Sequence, residues 1–228
     1  HLAQTLAAYD PSNHLALTLV WGDSHDNTGY ALRTLSAASG LDVTVIEHSH
    51  GGPDYGSVVN AERFRNLAAA GNAILDDVLP DDDVFVYVES DLLWQPATIV
   101  KLALRTLDTQ AVVTPLLIFS SGVFYDRWAY RKNGELLQAE YPYHPDILSA
   151  LADGGLVQLD SAGSCLAMPA HIARVCRFQP EDSIVGLCRD AREWGFDIWL
   201  DPTLTVIHPP LVREGRMNVN PYAELVAA

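Results

Sequence analysis

The feature that most limits what this chain can fold into is an alternation of short apolar runs with helical patterns over its first 119 residues. LALTLV (15–20) reads as a buried strand. The polar loop WGDSHDNTG follows, then YALRTLSAAS as a helix that ends at Gly40. LDVTVIEHS (41–49) is a second strand, closing on Glu47. Beyond the loop HSHGGPDYGS, a helix is expected from about Val58 to Asp77, with Phe64, Leu67, Ile74 and Val78 at helical spacing. Pro80 and Asp81 to Asp83 separate it from the strand VFVYV (84–88). Pro96 opens the helix PATIVKLALRTL at the favoured first-turn position, and AVVTPLLIF (111–119) is a fourth strand. Strands alternating with helices in this way predict an α/β fold, with a mostly parallel central sheet flanked by helices. Such sheets bind ligands in the crevice beyond the carboxyl ends of their strands. Glu47 and the triplet Glu89-Ser90-Asp91 both fall at such ends.

The second part is less regular. SSGVFYDRWAYRKNGELLQAEYPYHP (120–145) is aromatic and rich in turn residues, a loop with a short hairpin around Asn133-Gly134. GLVQLDSAGSCLAM (155–168) reads as one or two strands interrupted by small residues. PEDSIVGLCRDAREWG (180–195) is a helix. FDIWLDPTLTVIHP (196–209) holds a short strand, a turn at Asp201-Pro202 and another strand ending at His208.

At 228 residues the chain fits a single domain. Its formal net charge of −15 disfavours nucleic acid and anionic lipid as partners. No run approaches the roughly 18 apolar residues that span a membrane, and no signal peptide is visible. The chain opens on His1, as a processed product or part of a longer chain would. Cys165, Cys176 and Cys188 fit no zinc spacing and no disulfide framework, so buried thiols in a reducing, cytoplasmic setting are expected.

In an extended segment, residues i and i+2 point to one side, so Glu89 and Asp91 face a ligand together while Ser90 faces away. Hard divalent cations such as Mg²⁺ or Mn²⁺ are held by one or two carboxylates together with substrate phosphates. An acid-x-acid triplet at a strand's carboxyl end suits that task. A solvated acidic turn is the other reading.

YVESDLLW (87–94) resembles the acid-x-acid metal motif of the GT-A glycosyltransferases, which transfer sugars from nucleotide-sugar donors. PEDSIVGLCRDAREWGFDIWLDPTLTVIHP is similar to the acceptor-side signature of the large inverting family that includes cellulose and chitin synthases. That signature is a Glu-Asp pair, an Arg on the following helix, an aromatic-rich strand and a late His. RFRNLAAAG (63–71) resembles the Arg-Asn helix that precedes the metal strand in the same family. The likeness runs from about Leu15 to Pro209, and it divides the chain into a nucleotide-binding half (about 1–118), an acceptor and catalytic half (about 119–210) and a tail (211–228). There are departures. The triplet begins with Glu rather than Asp, and the Glu-Asp-to-Arg spacing is one residue off. A Gln-Arg-Trp motif is absent, which argues against a polymerising synthase. FYDRWAYR (124–131) looks more like the retaining mannosyltransferases of the fungal Golgi, which leaves the stereochemical outcome open.

The resemblance implies roles residue by residue. Asp91 is the principal metal ligand, Glu89 helps directly or through water or the ribose, and His208 is a third ligand that favours Mn²⁺ over Mg²⁺. A histidine simply ending a strand is the alternative for His208. Asp182 is the general base, and Glu181 binds the acceptor or helps start the helix; favourable charge at a helix amino end explains both equally. Arg189 orients the pair, binds phosphate, or lies on the surface. Glu47 meets the base or ribose, and Arg65 reaches the base. Trp21 stacks on the base or belongs to the core. Gly163, within SAGS (161–164), lets backbone approach the donor sugar. Tyr125, Asp126 and Trp128 shape the sugar or acceptor pocket. His48 and His50 are candidates for a second metal, and HGGPDYGS lacks the Lys of a phosphate-binding loop. The expected activity is transfer of one sugar from a UDP- or GDP-sugar to an unidentified acceptor hydroxyl, on a glycan or glycoconjugate, with inversion. The alternatives are a retaining transferase and a nucleotide- or glycan-binding module without catalysis. A nucleotidyltransferase lacks support, because no glycine-rich loop bearing Arg and Lys opens the chain.

Overall fold

The computed structural model describes residues 14–53, 55, 59–126, 128–137 and 142–209. The expected helix start at Val58 and the tail after Pro209 lie outside them. In chain order the elements are β1 (Ala16–Trp21), α1 (Thr28–Ser39), β2 (Asp42–Glu47), α2 (Ala61–Leu75), β3 (Val84–Val88), β4 (Leu93–Trp94), α3 (Pro96–Thr109) and β5 (Val112–Phe119). They continue with β6 (Arg131–Lys132), β7 (Glu135–Leu136), α4 (Pro145–Asp153), β8 (Val157–Leu159), β9 (Cys165–Pro169), α5 (Ala170–Val175), α6 (Ile184–Glu193) and β10 (Ile198–His208). They fall into two compact units. Of the described residues, one holds 14–83 and Ala170–Trp194, and the other Val84–Pro169 and 195–209.

In the first unit, β1 and β2 pair in parallel, with Trp21 opposite Glu47 at their carboxyl ends. Helix α1 makes the crossover that parallel pairing requires and packs on both strands. Helix α2 packs on β1. Asn60 caps it, its side-chain oxygen accepting the N–H of Glu62 at 2.9 Å and of Arg63 at 3.1 Å. Phe64, Ala68, Gly71 and Leu75 recur at three- and four-residue intervals and form the buried face of α2. Asn72 ties α2 to the stretch before α6. Its amide donates to the Phe178 carbonyl at 3.0 Å, and its oxygen accepts the Phe178 N–H at 2.9 Å.

The second unit is built on a six-stranded sheet in the order β3-β9-β5-β10-β4, with β8 also on β10. Helix α3 packs against β3, β9, β5 and β10, and α4 against β8 and β10. The α/β class with a central sheet flanked by helices is as the sequence predicts. The direction of the strands differs from a mostly parallel order. β10 is parallel to β5, but β9 runs antiparallel to both β3 and β5, and β4 and β8 run antiparallel to β10. The sense of these strands is set by the tertiary pairing each finds in the sheet, which the strand-helix alternation of the first part does not specify. Because β9 opposes both neighbours, β3, β5 and β10 still run the same way, and their carboxyl ends share one edge.

The hairpin at Asn133-Gly134 is present as β6 and β7. Asn133 (φ 54°) and Gly134 (φ 80°) are both left-handed, as a two-residue hairpin turn requires. Helices α4 and α5 were not foreseen. The expected turn at Asp201-Pro202 is instead a register shift inside one strand, between Asp201 and Thr205. Pro202 has no N–H to give a ladder. Asp201, 1% exposed, stabilises the irregularity by accepting Arg105 Nε at 2.8 Å and the Thr203 N–H and hydroxyl at 3.0 and 2.6 Å. Arg105→Met leaves this buried carboxylate without its cation. Urea denaturation should show a loss of about 3 kcal/mol, the low end for breaking a buried pair, because Arg105 itself is partly exposed.

Candidate functional site

The shared edge of β3, β5 and β10 gathers side chains that lie far apart in sequence. After β3 the chain turns, with the Glu89 N–H donating to the Ser164 carbonyl at 2.8 Å and the Leu92 N–H to the Glu89 carbonyl at 3.3 Å. It then enters β4, where Leu93 sits opposite Ile207 of β10. His208 is one residue past that pair and Asp91 two before it, so the antiparallel ladder brings them together. His208 Nε2 lies 3.2 Å from Asp91 Oδ2, the imidazole almost wholly buried and the carboxylate open to solvent. On the other side of the ring, Nδ1 is 2.7 Å from the Pro209 carbonyl. A carbonyl only accepts, so Nδ1 carries a proton, and Nε2 is the nitrogen turned to the carboxylate. The Tyr125 ring stacks on the imidazole at 3.9 Å and 10°, and Phe119 stands edge-on to it at 6.5 Å.

The electrostatics follow from this arrangement. The hydrogen bond from His208 holds the Asp91 carboxyl below its ordinary value, against desolvation. Burial pushes His208 down. The hydrogen bond and charge of Asp91, the Pro209 carbonyl and the charge of Glu89 outweigh it and leave His208 raised. Glu89 is half-buried and acts on His208 and Cys165 through its charge. Among the described residues no group of three or more His, Cys, Asp or Glu side chains is gathered as a metal ligand set. The side chains in hand at this edge are therefore Asp91 and His208, with Glu89 adding negative charge. Gly163 belongs to the same unit. A Cβ there would lie 2.4 Å from Asp126 Oδ2 and 2.6 Å from the Ala129 Cβ, so this position takes only glycine.

The first unit has a pocket of about 270 Å³ at the carboxyl ends of β1 and β2, walled by Trp21, Asp23, His48, His50, Arg63 and Asn66 among others. Trp21 is half-buried and lines the pocket. Its Nε1 is buried with no hydrogen-bond partner among the described residues, and Arg33 lies 5.5 Å over its ring. Asp23, missed in the sequence, accepts the N–H groups of His50 and Gly51 at 2.7 and 3.1 Å. The first of these bonds leads in holding its carboxyl below the ordinary value. His50 Nδ1 accepts the Gly52 N–H at 2.9 Å, which leaves Nε2 to face Asp23 at 3.2 Å. The two histidines are thus pocket wall and carboxylate partner. Arg63, not Arg65, reaches the pocket. Arg65 is exposed and pairs with Glu62 at 2.6 Å. Two residues along a helix are about 200° apart, so the two arginines lie on opposite sides of α2. Asn66, three residues on from Arg63, shares the pocket side. Glu47 ends β2 and is exposed, outside the pocket wall.

Asp182 also lies in the first unit, just before α6. Arg189 grips both its oxygens, at 2.6 and 3.1 Å, and that bond raises the guanidinium further. The orienting role foreseen for Arg189 has this geometry behind it. Glu181 is exposed and adds its charge to the same arginine. All three cysteines are buried and none forms a disulfide. Among the described residues no helix is long and apolar enough to cross a membrane.

No protein-family model and no curated protein matches the chain. Among solved structures, a crystal structure of GalNAc-T7 with UDP, GalNAc and Mn²⁺ matches with a TM-score of 0.55 and 14% identity. The alignment covers 89% of this chain and 39% of that one, so the chain spans well under half of its neighbour's length. At that identity the likeness is one of fold, and the fold is the GT-A type. It lends nothing to the finer resemblances to cellulose and chitin synthases or to fungal Golgi mannosyltransferases.

A pH dependence follows from the Asp91–His208 pair. The contribution of a raised His208 is fully present below its unfolded value near 6.5 and fades as pH rises through the raised value. The contribution of a lowered Asp91 is present above 3.8 and fades as pH falls through the lowered value. In metal-free protein, the melting temperature of wild type should exceed that of Asp91→Asn most between about pH 4 and 6.5. The two curves should converge in stronger alkali. A constant gap across pH would show that the pair is not ionised.

Proposed function

We propose that this protein is a metal-dependent glycosyltransferase that moves one sugar from a UDP- or GDP-sugar to an acceptor hydroxyl, a glycan or glycoconjugate being the acceptor class. The observation that carries the reading is the Asp91–His208 pair at the carboxyl ends of β3 and β10, with Nε2 turned to a carboxylate oxygen 3.2 Å away. A divalent cation fits this donor set. One carboxylate oxygen and one imidazole nitrogen leave the remaining positions to phosphate oxygens and water, and the mixed O and N set favours Mn²⁺. When bound, the ion would act as a Lewis acid on the departing diphosphate.

The chain's own residues do the rest. Asp91 and His208 hold the cation, and Glu89 supports them directly, through water or at the ribose. The Pro209 carbonyl keeps the proton on Nδ1, so His208 offers Nε2. Trp21 offers a flat face to a base, and Arg63 supplies the pocket's guanidinium. Glu47 is assigned to the base or ribose. Gly163 gives a donor sugar close access to backbone. Asp182, held by Arg189, takes the acceptor's proton, and Glu181 binds the acceptor, which makes the reaction inverting. A retaining course is the second reading, favoured by the bidentate grip of Arg189 on Asp182, which occupies both of its oxygens. The three buried thiols suit a reducing compartment, and the cytoplasm is our assignment.

Calorimetric titration of UDP and GDP with and without Mn²⁺, followed by donor turnover, tests the reading. Wild type should bind one nucleotide in a Mn²⁺-dependent way. Asp91→Ala should lose that dependence, with little change in melting temperature in alkali, where the pair contributes least, and Asp182→Asn should keep binding but lose about 10²–10⁴ in transfer rate. Full activity in Asp91→Ala would remove the metal assignment. The pocket makes a separate forecast. Arg63→Ala should weaken nucleotide binding about tenfold or more, the worth of a charged hydrogen bond, while Arg65→Ala leaves it unchanged. The reverse order would return the assignment to Arg65.

A further inference from the structure

Asn60, Asn66 and Asn72 stand at even intervals along α2 and its cap. Asparagine is a poor residue for a helix interior, because its carboxamide competes with the backbone for hydrogen bonds. Two of the three have structural roles that offset this. Asn60 caps the helix, and Asn72 both donates to Phe178 and accepts from it. Asn66 is half-buried, and among the described residues its carboxamide has no hydrogen-bond partner. It belongs to the stripe Arg63, Asn66, Leu67 and Ala70, at intervals of three and four, which walls one side of the pocket at the carboxyl ends of β1 and β2.

The other groups around the pocket narrow what Asn66 can meet. Val20, Leu67 and Ala70 are apolar and Trp21 adds an indole, so the pocket suits a ligand with flat faces and polar edges. Asp23 accepts from His50 and Gly51 and faces His50 Nε2, while His50 Nδ1 accepts from Gly52, so this carboxylate and this imidazole are already taken. Arg63 has no carboxylate partner among the described residues, and a guanidinium only donates. A phosphate, which only accepts, would suit Arg63 but leave the Asn66 oxygen unserved. A carboxamide is an acceptor beside a donor, and its complement is a ring N–H beside a carbonyl. The bases of UDP and GDP both carry that pair, at N3 and O4 of uracil and at N1 and O6 of guanine. Resting on the glycosyltransferase reading, we infer that Asn66 reads the edge of the donor's base. Its oxygen accepts the ring N–H, and its amide donates to the adjacent carbonyl.

The informative variant is Asn66→Leu, which keeps the size, favours the helix and removes both polar atoms. Mn²⁺-loaded wild type and variant are titrated by calorimetry with UDP and GDP, with N3-methyl-UDP and N1-methyl-GDP, and with ribose 5-diphosphate, which has no base. In wild type, UDP or GDP should bind about tenfold or more tighter than its methylated form, the worth of the hydrogen bonds that the methyl group blocks. In Asn66→Leu the parent and methylated nucleotides should bind alike. Ribose 5-diphosphate should keep its wild-type Kd in the variant, which a merely structural loss would not spare. The wild-type comparison serves even if the variant folds poorly. The inference is overturned if wild type binds parent and methylated nucleotides alike, or if Asn66→Leu still tells them apart. It is overturned too if the variant weakens ribose 5-diphosphate as much as the nucleotides, or if a 2′-deoxy nucleotide rather than the methylated one reproduces the variant's loss. Failure of both UDP and GDP to bind wild type with Mn²⁺ is a distinct result. It removes the glycosyltransferase reading and this inference with it.

Discussion

A single proton sets the character of the metal-side edge. The Pro209 carbonyl, 2.7 Å from His208 Nδ1, can only accept, so it fixes the imidazole's tautomer and turns the other nitrogen to Asp91. The Tyr125 ring on one face and the edge of Phe119 keep the imidazole from swinging away. With no cation bound, a proton on Nε2 bridges to the carboxylate. In the function proposed above, the same two atoms would become the ligands when that proton leaves, coupling binding to proton release. The surrounding sheet exists to hold this geometry. β10 is long, passes an irregularity pinned by Arg105 and Asp201, and pairs β5 on one side and β4 on the other. Those pairings, not local sequence, bring Asp91 and His208 to 3.2 Å.

The first unit offers a different kind of chemistry. Its pocket combines an indole face, a guanidinium and a carboxylate already committed to His50 and two N–H groups. Such a set recognises a flat, polar, partly anionic molecule better than it holds a metal. Asp182 and Arg189, further along the same unit, form a tightly held acid and base pair whose bidentate geometry gives the carboxylate a fixed orientation.

Much of this was legible in the sequence because it rests on local rules. Strands ended where carboxylates began, Asn133-Gly134 made its hairpin, and Glu89 to Asp91 followed β3 as the apolar run implied. The strand directions were not legible. Whether β9 enters beside β3 in one sense or the other is decided by tertiary pairing. Arg65 was chosen by likeness to a motif, whereas the pocket takes Arg63. The sequence did hold the signal, since Phe64, Ala68 and Leu75 define the buried face and thereby separate the two arginines. Asp23 could not have been found by pattern, because it gains its meaning from loop backbone that folds over it.

The most direct test of the central geometry is the imidazole ¹⁵N spectrum of His208, recorded at alkaline pH before and after Mn²⁺ is added with UDP. The expected spectrum shows the proton on Nδ1, and the paramagnetic ion broadens the Nε2 signal of His208 beyond detection in wild type but not in Asp91→Ala. A proton found on Nε2 at that pH, or a His208 signal left sharp at saturating Mn²⁺ and UDP, would contradict it.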